Sequence, residues 1–167
     1  IHALLAGVAY LVCILLGIPI GIWMSRSKRV TAALTPVLDV MQTMPSFAYL
    51  APLVLFFGIG PAAAVVTTLI YALPPLVRIS AHGLRTVSPT TLEATTSLGS
   101  TDNQQMRKVQ LPMARRTILV GLNQTTMAAL SMAVIAALIN GPGLGIPVLK
   151  GLQILNVGQA FVAGLCI

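Results

Sequence analysis

Glu93-Ala94-Thr95-Thr96-Ser97-Leu98-Gly99, followed after nine residues by Val109-Gln110-Leu111-Pro112, is the stretch of sequence that decides the fold. It lies in the one long polar segment of a chain that otherwise consists of uncharged runs. A glycine and a proline in it mark positions where helices usually stop. The stretch therefore predicts two short helices joined by a glycine turn, which make a compact unit rather than a flexible tether.

Local signals define the ends of these two helices. Ser88-Pro89 predicts the first start, with the serine as N-cap and the proline at the first helical position. Thr101, with Gln104 three residues later, predicts a capping box for the second helix. Leu111-Pro112 is expected to break that helix before the next span. Taken alone, the signals also fit an ordinary solvated loop.

The composition excludes a water-soluble globular domain. Hydrophobic residues make up 56% of the 167 residues and charged residues only 8%. Soluble domains carry roughly 25% charged residues, so this chain cannot cover a water-facing surface. Its net charge of +7 would suggest nucleic acid in a soluble protein, but here the distribution matters more, and we expect no nucleic-acid partner.

The uncharged runs predict an all-α membrane protein with about five transmembrane helices. Ala3 to Met24 would span about 33 Å as a helix, enough for a hydrocarbon core of roughly 30 Å. The run from Val40 to Val77 is too long for one crossing, and Gly58-Ile59-Gly60-Pro61 predicts a hairpin turn in it. A further break is expected at Asn140–Pro147. The predicted spans are 2–24, 36–58, 62–78, 116–139 and 150–167.

The basic residues predict the orientation of these spans. Arg26, Lys28 and Arg29 form one island, and six further Arg and Lys residues lie between 78 and 116. Two crossings separate the islands, so both lie on one face, which the positive-inside rule places in the cytoplasm. Residues 79–115 are then a cytoplasmic loop, and the N-terminus lies outside. We interpret 1–167 as a single transmembrane domain from a longer chain, because it starts with Ile1 and stops within an apolar run.

The polar stretch closely resembles the cytoplasmic EAA loop of permease subunits in binding-protein-dependent ABC importers. That pattern is Glu-Ala-Ala, three residues, Gly, nine residues, an aliphatic residue, any residue and Leu-Pro; Thr95 and Val109 are the departures from it. The resemblance implies a type I ABC importer permease fold with a coupling helix that docks on an ATPase subunit. The expected ATPase-coupling residues are Glu93, Ala94, Leu98 and Gly99. Glu93 has two other interpretations, a surface carboxylate favoured by the helix dipole and a partner for a nearby arginine.

The resemblance to glycine betaine/proline betaine permeases covers nearly the whole chain. It is carried by 39–50, 55–60, 72–75 and 121–132, above all by Met41-Gln42-Thr43 and Asn123-Gln124-Thr125. It implies import of an osmoprotectant by two permease chains, often identical, two ATPase subunits and an extracytoplasmic binding protein. ATP and Mg would be bound by the ATPase, and this chain would carry no cofactor. Choline and carnitine permeases share parts of these segments, so they remain an alternative.

Polar groups inside the predicted spans are candidates for the substrate path. Gln42 and Thr43 lie near the start of the second span and Asn123 lies early in the fourth. Polar side chains in a membrane usually face protein or water, so each cluster either joins helices or lines a path for a zwitterion. Asp39 is expected in the first turn of a helix that starts at Thr35-Pro36, as a dipole-stabilised carboxylate or a gate.

Small residues recur every four positions in the fourth predicted span, which indicates close helix packing in lipid, within the chain or at a dimer seam. They are Gly121, Thr125, Ala129, Ala133 and Ala137. Trp23, beside the first basic island, is interpreted as an interface anchor rather than a cation–π ligand.

An enzyme active site is not expected in this chain. The sequence contains no Gly-four residues-Gly-Lys-Ser/Thr phosphate-binding motif and no Ser/His/Asp or metal-ligating constellation. His2, His82, Cys13 and Cys166 show no ligand spacing. The competing classes are an ion-coupled secondary transporter, which normally needs ionisable groups within its spans, and a structural or channel-like bundle, which leaves the polar stretch unexplained.

Overall fold

Three long helices form the core of the computed structural model, which describes residues 2–138 and 145–166. They are α1 (His2–Arg26), α4 (Pro61–Arg85) and α7 (Leu111–Leu138). Helix α4 lies between the other two and packs extensively against both. Every regular element in the described residues is helical, so the prediction of an all-α chain is confirmed.

Small residues let these helices approach each other closely. A Cβ atom added at Gly21 of α1 would lie 2.9 Å from Cβ of Ser80, and one at Gly83 of α4 would lie 2.8 Å from Cβ of Thr117 on α7. Thr125 and Ala129, from the predicted small-residue stripe, are buried, and Ala129 packs with Cys13 and Ala72. This part of the stripe therefore serves packing within the chain rather than a seam between two chains.

The second predicted span is wrong as a single helix, because the chain bends sharply within it. Helices α2 (Lys28–Thr43) and α3 (Ser46–Phe57) meet at 95°. Met44, between them, is extended, with ψ at 136°, as expected for a residue that precedes a proline, here Pro45. Helix α3 then ends at the predicted glycine turn, and α4 begins at Pro61.

Helix α2 also starts earlier than expected. Its N-cap is Ser27, whose hydroxyl oxygen accepts a hydrogen bond from the backbone N–H of Val30 at 3.4 Å. Pro36 therefore lies inside the helix and does not begin it. The placement of Asp39 in a first helical turn is wrong for the same reason, since three turns of helix precede it.

Two helices in the described residues, Gly7–Arg26 within α1 and all of α4, are long and apolar enough to cross a membrane. The bent pair makes a third crossing if it acts as one span. Helix α7, with 28 residues, is about 42 Å long. The described residues thus contain fewer clear spans than the five expected.

The fifth predicted span is also wrong as a single crossing. Helices α8 (Gly145–Gln153) and α9 (Val157–Leu165) occupy this region, and each is about 14 Å long, too short for a hydrocarbon core. Leu155, between them, has a φ of 54°, which ends the first helix. A Cβ at Gly151 would lie 2.7 Å from the backbone nitrogen of Ala160, so the two helices fold against each other. Part of the expected break at 140–147 lies outside the described residues.

Two short helices connect α4 to α7, as predicted from the polar stretch. Helix α5 covers Pro89–Ser97 and α6 covers Asp102–Gln105. The capping box at Thr101 and Gln104 is present, with both of its hydrogen bonds formed. Ser88 occupies the N-cap position of α5, but its side chain makes no capping hydrogen bond there.

The expectation that Leu111-Pro112 breaks the second short helix is wrong. A π-helical turn, Met106–Gln110, joins α6 to α7 without interruption, and the N–H of Leu111 donates to the carbonyl oxygen of Met106. A proline ring clashes with the carbonyl group four residues earlier in an α-helix. The wider turn just before Pro112 relieves that conflict, so helical hydrogen bonding continues.

Candidate functional site

The turn between α5 and α6 is built around Gly99, which has a φ of 77°. The N–H of Gly99 donates to the carbonyl oxygen of Thr96 at 2.9 Å, and the N–H of Ser100 donates to that of Thr95 at 3.2 Å. These two bonds form a Schellman motif, which needs a left-handed residue at the glycine position. The predicted sharp turn at Gly99 is therefore present.

Gln105 closes the loop on itself. Its Nε2 donates to the carbonyl oxygen of Leu92 at 2.7 Å and to Oγ1 of Thr95 at 2.8 Å. Thr95, the departure from alanine in the EAA pattern, thus contributes a hydroxyl that bonds across the turn. Arg26, at the end of α1, donates from Nη2 to the carbonyl oxygen of Asp102 at 3.2 Å. The loop, defined here as residues 89–105, is thereby fastened both internally and to α1.

The four predicted coupling residues lie together on this loop, and all of them are exposed. They are Glu93 and Ala94 on α5, Leu98 at its C-cap and Gly99 in the turn. Leu98 is 87% exposed. A Cβ added at Gly99 would meet nothing within 4 Å, so the close approach expected there has no partner inside this chain.

Asp39 and Arg78 form the one ion pair among residues 2–138 and 145–166. Glu93 therefore has no such partner, and its interpretation as half of an ion pair within the chain gains no support. The guanidinium group of Arg78 also donates to the carbonyl oxygen of Thr35 at 3.4 Å, while its Nε is buried without a partner. The pair ties α2 to α4 beside the bend. Sequence reasoning placed Arg78 only in a basic island and missed this role.

A cavity of about 330 Å³ lies where α2, α4 and α7 meet. Its lining is uncharged and includes two amides, a phenol and a hydroxyl. The residues that line it are Gln42, Tyr71, Pro75, Gln124, Met127, Ala128 and Ser131. Of the three predicted path residues, the structure therefore places only Gln42 on this cavity.

Thr43 and Asn123 lie elsewhere. The hydroxyl of Thr43 donates to the carbonyl oxygen of Asp39 at 2.9 Å, and Asn123 is exposed on α7, away from the cavity lining. Gln124, the neighbour of Asn123, lines the cavity with Met127, Ala128 and Ser131. These positions share one face of a helix, since they are spaced three and four residues apart. Every face of a helix has that spacing, so the sequence alone does not single out Gln124.

A metal centre has no support in the described residues, because they contain no group of three His, Cys, Asp or Glu side chains placed to hold an ion. Cys13 is buried and Cys166 is exposed, and both are free thiols. The features with potential for function are thus an exposed, fastened loop and a neutral polar cavity.

The fold matches that of a solved transporter. The inward-facing MetNI methionine ABC transporter gives a TM-score of 0.84 over 99% of this chain and 83% of its own, at 18% identity. At that identity the comparison shows the fold alone, and it confirms the expected ABC importer permease architecture.

Two curated relatives give closer sequence matches. The glycine betaine/proline betaine transport system permease protein of Escherichia coli is 49% identical over 93% of this chain and 44% of its own length. The choline transport system permease protein of Bacillus subtilis is 30% identical over 92% of this chain and 70% of its own length. The chain spans about half the length of the glycine betaine permeases that it matches.

Residues 14–167 match the family described as the inner membrane component of binding-protein-dependent transport systems. The match extends over α1 to α9 and includes both the exposed loop and the polar cavity. The chain therefore belongs to the binding-protein-dependent transport system inner membrane component family.

Proposed function

We propose that this chain is the membrane-spanning part of a permease subunit in an ATP-driven importer of glycine betaine, proline betaine or a related osmoprotectant. A partner ATPase would bind ATP and Mg and hydrolyse the nucleotide. A second permease chain, expected to be identical, would complete the path, and an extracytoplasmic binding protein would deliver the substrate. Choline, carnitine or another small polar solute is the alternative cargo.

The exposed loop at 89–105 is the observation that carries the proposal. The Schellman motif, the capping box and Gln105 satisfy backbone groups at the turn, at the start of α6 and at Leu92, so the loop is held in shape by its own hydrogen bonds. Leu98 is exposed beside the turn, where a partner surface would cover it. In this proposal α5 docks on the ATPase through Glu93, Ala94, Leu98 and Gly99.

Helical continuity links this docking unit to the membrane. The backbone runs through α6 and the π-helical turn into α7 without an intervening loop. A displacement of the loop by the ATPase would therefore move α7, which lines the cavity through Gln124 and Ser131. ATP-driven closure of the ATPase dimer would thus change access to the path.

The cavity suits a zwitterionic substrate. A quaternary ammonium group donates no hydrogen bonds, and a betaine carboxylate accepts them. The amides of Gln42 and Gln124 and the hydroxyls of Tyr71 and Ser131 offer donors without a fixed charge that would trap the solute. The higher identity to the glycine betaine relative than to the choline relative favours a betaine as cargo.

The proposed orientation follows the basic residues. Nine of the ten Lys and Arg residues lie either at the junction of α1 with α2 or in the segment from Arg78 to Arg116 that contains the loop, so both regions would face the cytoplasm. The start of α1 and the turn before α4 would then face outward. The protein would lie in the inner membrane of a bacterium or archaeon.

The test is uptake into proteoliposomes that contain the full-length permease, its ATPase and its binding protein. Labelled glycine betaine should accumulate only with external binding protein and enclosed ATP. Uptake driven by a proton or sodium gradient without ATP would overturn the importer assignment. ATP-dependent uptake of choline in strong preference to betaine would keep the importer and replace the cargo.

A further inference from the structure

A second pocket, unlike the neutral cavity, is strongly basic. Its volume is about 540 Å³, and it lies where α1 ends, α2 begins and α4 ends. Three cationic and two hydroxyl side chains are among the six that line it, which are Ser25, Arg26, Lys28, Thr31, Ala32 and Arg85. In the described part of the chain, no carboxylate forms an ion pair with these cations, because the one pair found is that of Asp39 and Arg78. The pocket thus concentrates uncompensated positive charge.

Arg85 is held in place as one wall of this basic pocket. Its Nη2 donates to the carbonyl oxygen of Met24 at 2.5 Å and to the hydroxyl of Thr31. That hydroxyl in turn donates to the same carbonyl oxygen at 2.8 Å. A guanidinium group has five N–H donors, and these bonds use only its Nη2 end. The rest of the group is fixed in position, a favourable arrangement for binding an oxyanion.

Arg26 and Lys28 form the rim of the pocket. Both side chains are exposed, and the contact of Arg26 with the carbonyl oxygen of Asp102 orients it beside the loop. Lys28 lies just past the break at Ser27, where α2 starts. Arg85 is exposed as well, so all three cations are accessible to an anion at the pocket.

The depth of the pocket in the membrane is indicated by Trp23. This is the one tryptophan of the sequence, its side chain is 62% exposed, and it precedes Arg26 by three residues on α1. Positions three apart are neighbours on a helix surface. Exposed tryptophan side chains favour the headgroup layer of a bilayer. The apolar run of α1 ends at the same level, so the pocket opens where lipid phosphates lie.

We propose that this basic pocket binds the headgroup phosphate of an anionic phospholipid, such as phosphatidylglycerol. The phosphate would accept hydrogen bonds from Arg85 and Lys28, and the glycerol hydroxyls would reach Ser25 and Thr31. The acyl chains would lie along the apolar surface of α1 next to Trp23. A lipid bound there would join the end of α1 to the start of α2, next to the contact of Arg26 with the loop.

Lipid retention by the complete transporter complex tests this proposal. The full-length permease with its partner subunits is purified in detergent, titrated with phosphatidylglycerol or phosphatidylcholine, and analysed by native mass spectrometry. We expect tighter binding of phosphatidylglycerol. Lys28→Gln should weaken it roughly fivefold, as expected for one cation near a membrane surface. Arg29→Gln is the matched control, since it removes the same charge from an exposed residue that does not line the pocket.

Several results would overturn the lipid site. Equal losses in Lys28→Gln and Arg29→Gln would mean that general surface charge, and not the pocket, binds lipid. Equal binding of phosphatidylcholine would exclude recognition of net negative charge. Displacement of the lipid by millimolar inorganic phosphate would identify the pocket as a free-anion site. Lipid binding that appears only when the ATPase is stripped from the complex would assign the pocket to an acidic surface of the ATPase.

Discussion

Gln105 and Leu92 are joined by a hydrogen bond of 2.7 Å from the side-chain amide to the carbonyl oxygen. The bond fastens the end of α6 to the middle of α5 across the Gly99 turn, and the hydroxyl of Thr95 accepts a second bond from the same nitrogen. One side chain thus holds two short helices that are individually too short to be stable in water. The shape of the loop depends on it.

Replacing this amide should loosen the loop. Gln105→Ala removes the contacts of Nε2 with the carbonyl oxygen of Leu92 and the hydroxyls of Thr95 and Thr96, and each hydrogen bond is worth about 1 kcal/mol. We expect amide hydrogen exchange in 92–98 to rise by roughly an order of magnitude in the intact complex, measured by mass spectrometry. Asn103→Ala, an amide on the same helix with no such contact, is the control. Unchanged exchange in Gln105→Ala would show that the loop keeps its shape without the clamp.

Two substitutions at Gly99 should distinguish the free-energy cost of straining the turn from a steric effect on the proposed docking surface. Gly99→Ala should cost about 1–2 kcal/mol, because its φ of 77° is unfavourable for a residue with a Cβ. Gly99→Trp adds a bulky indole to a surface that is open in this chain. We expect Gly99→Trp to insert normally but to weaken ATPase association and stimulated ATP hydrolysis well beyond Gly99→Ala. Normal assembly and full ATP-driven transport by Gly99→Trp would contradict the coupling assignment.

The orientation of the chain is open to a labelling test. Single cysteines replacing Ser27 and Thr101 should react with a membrane-impermeant maleimide only from the cytoplasmic side, and one replacing Gly60 only from outside. Cys166 is exposed and must first be changed to serine. Ser27 and Thr101 labelled from opposite sides would refute the arrangement, because the structure ties the end of α1 to the loop through Arg26 and Asp102.

The lining of the neutral cavity predicts that substitutions at the adjacent residues Asn123 and Gln124 will affect uptake differently. Gln124→Leu should lower betaine uptake severalfold, because it removes an amide donor from the cavity lining, while leaving assembly and basal ATP hydrolysis near normal. Asn123→Leu, one position along the helix and outside the cavity lining, should have a smaller effect. A larger loss in Asn123→Leu would move the path to the other face of α7. Loss of assembly in either variant would instead assign that residue to helix packing.

Local signals in the sequence predicted local structure well. The capping box at Thr101 depends on side chains that bond within a few residues, and the turn before Pro61 depends on the backbone freedom of Gly58, which has a φ of 73°; both are present. The prolines show that local sequence alone does not predict where a helix ends. Pro36 lies inside a helix, Pro45 follows a sharp bend, and Pro112 follows a widened turn. The residue is proline in all three cases, and whether the helix continues through it depends on packing and on the preceding turn.

The candidate functional residues also fall into two groups, those in one continuous segment and those that the fold brings together. The four proposed coupling residues were predicted from the resemblance of one continuous segment to the EAA pattern. Gln42 on α2 and Gln124 on α7 line the same cavity although they are far apart in sequence, and Arg78 reaches Asp39 from α4. Such contacts depend on how helices are oriented about their axes. The composition of an apolar chain carries little information on that, since many rotations bury similar side chains.

The π-helical turn at Met106–Gln110 also determines which way the exposed loop faces around the axis of α7. Each residue of an α-helix advances the chain by about 100° around the axis, so one residue more or fewer in this turn would rotate everything before it by that angle. The rotational orientation of the exposed loop about the axis of α7 is thus determined by helical register rather than by the loop's own sequence. A one-residue deletion in this turn would leave the loop itself intact. The side of the loop that is proposed to dock on the ATPase would then face away from it.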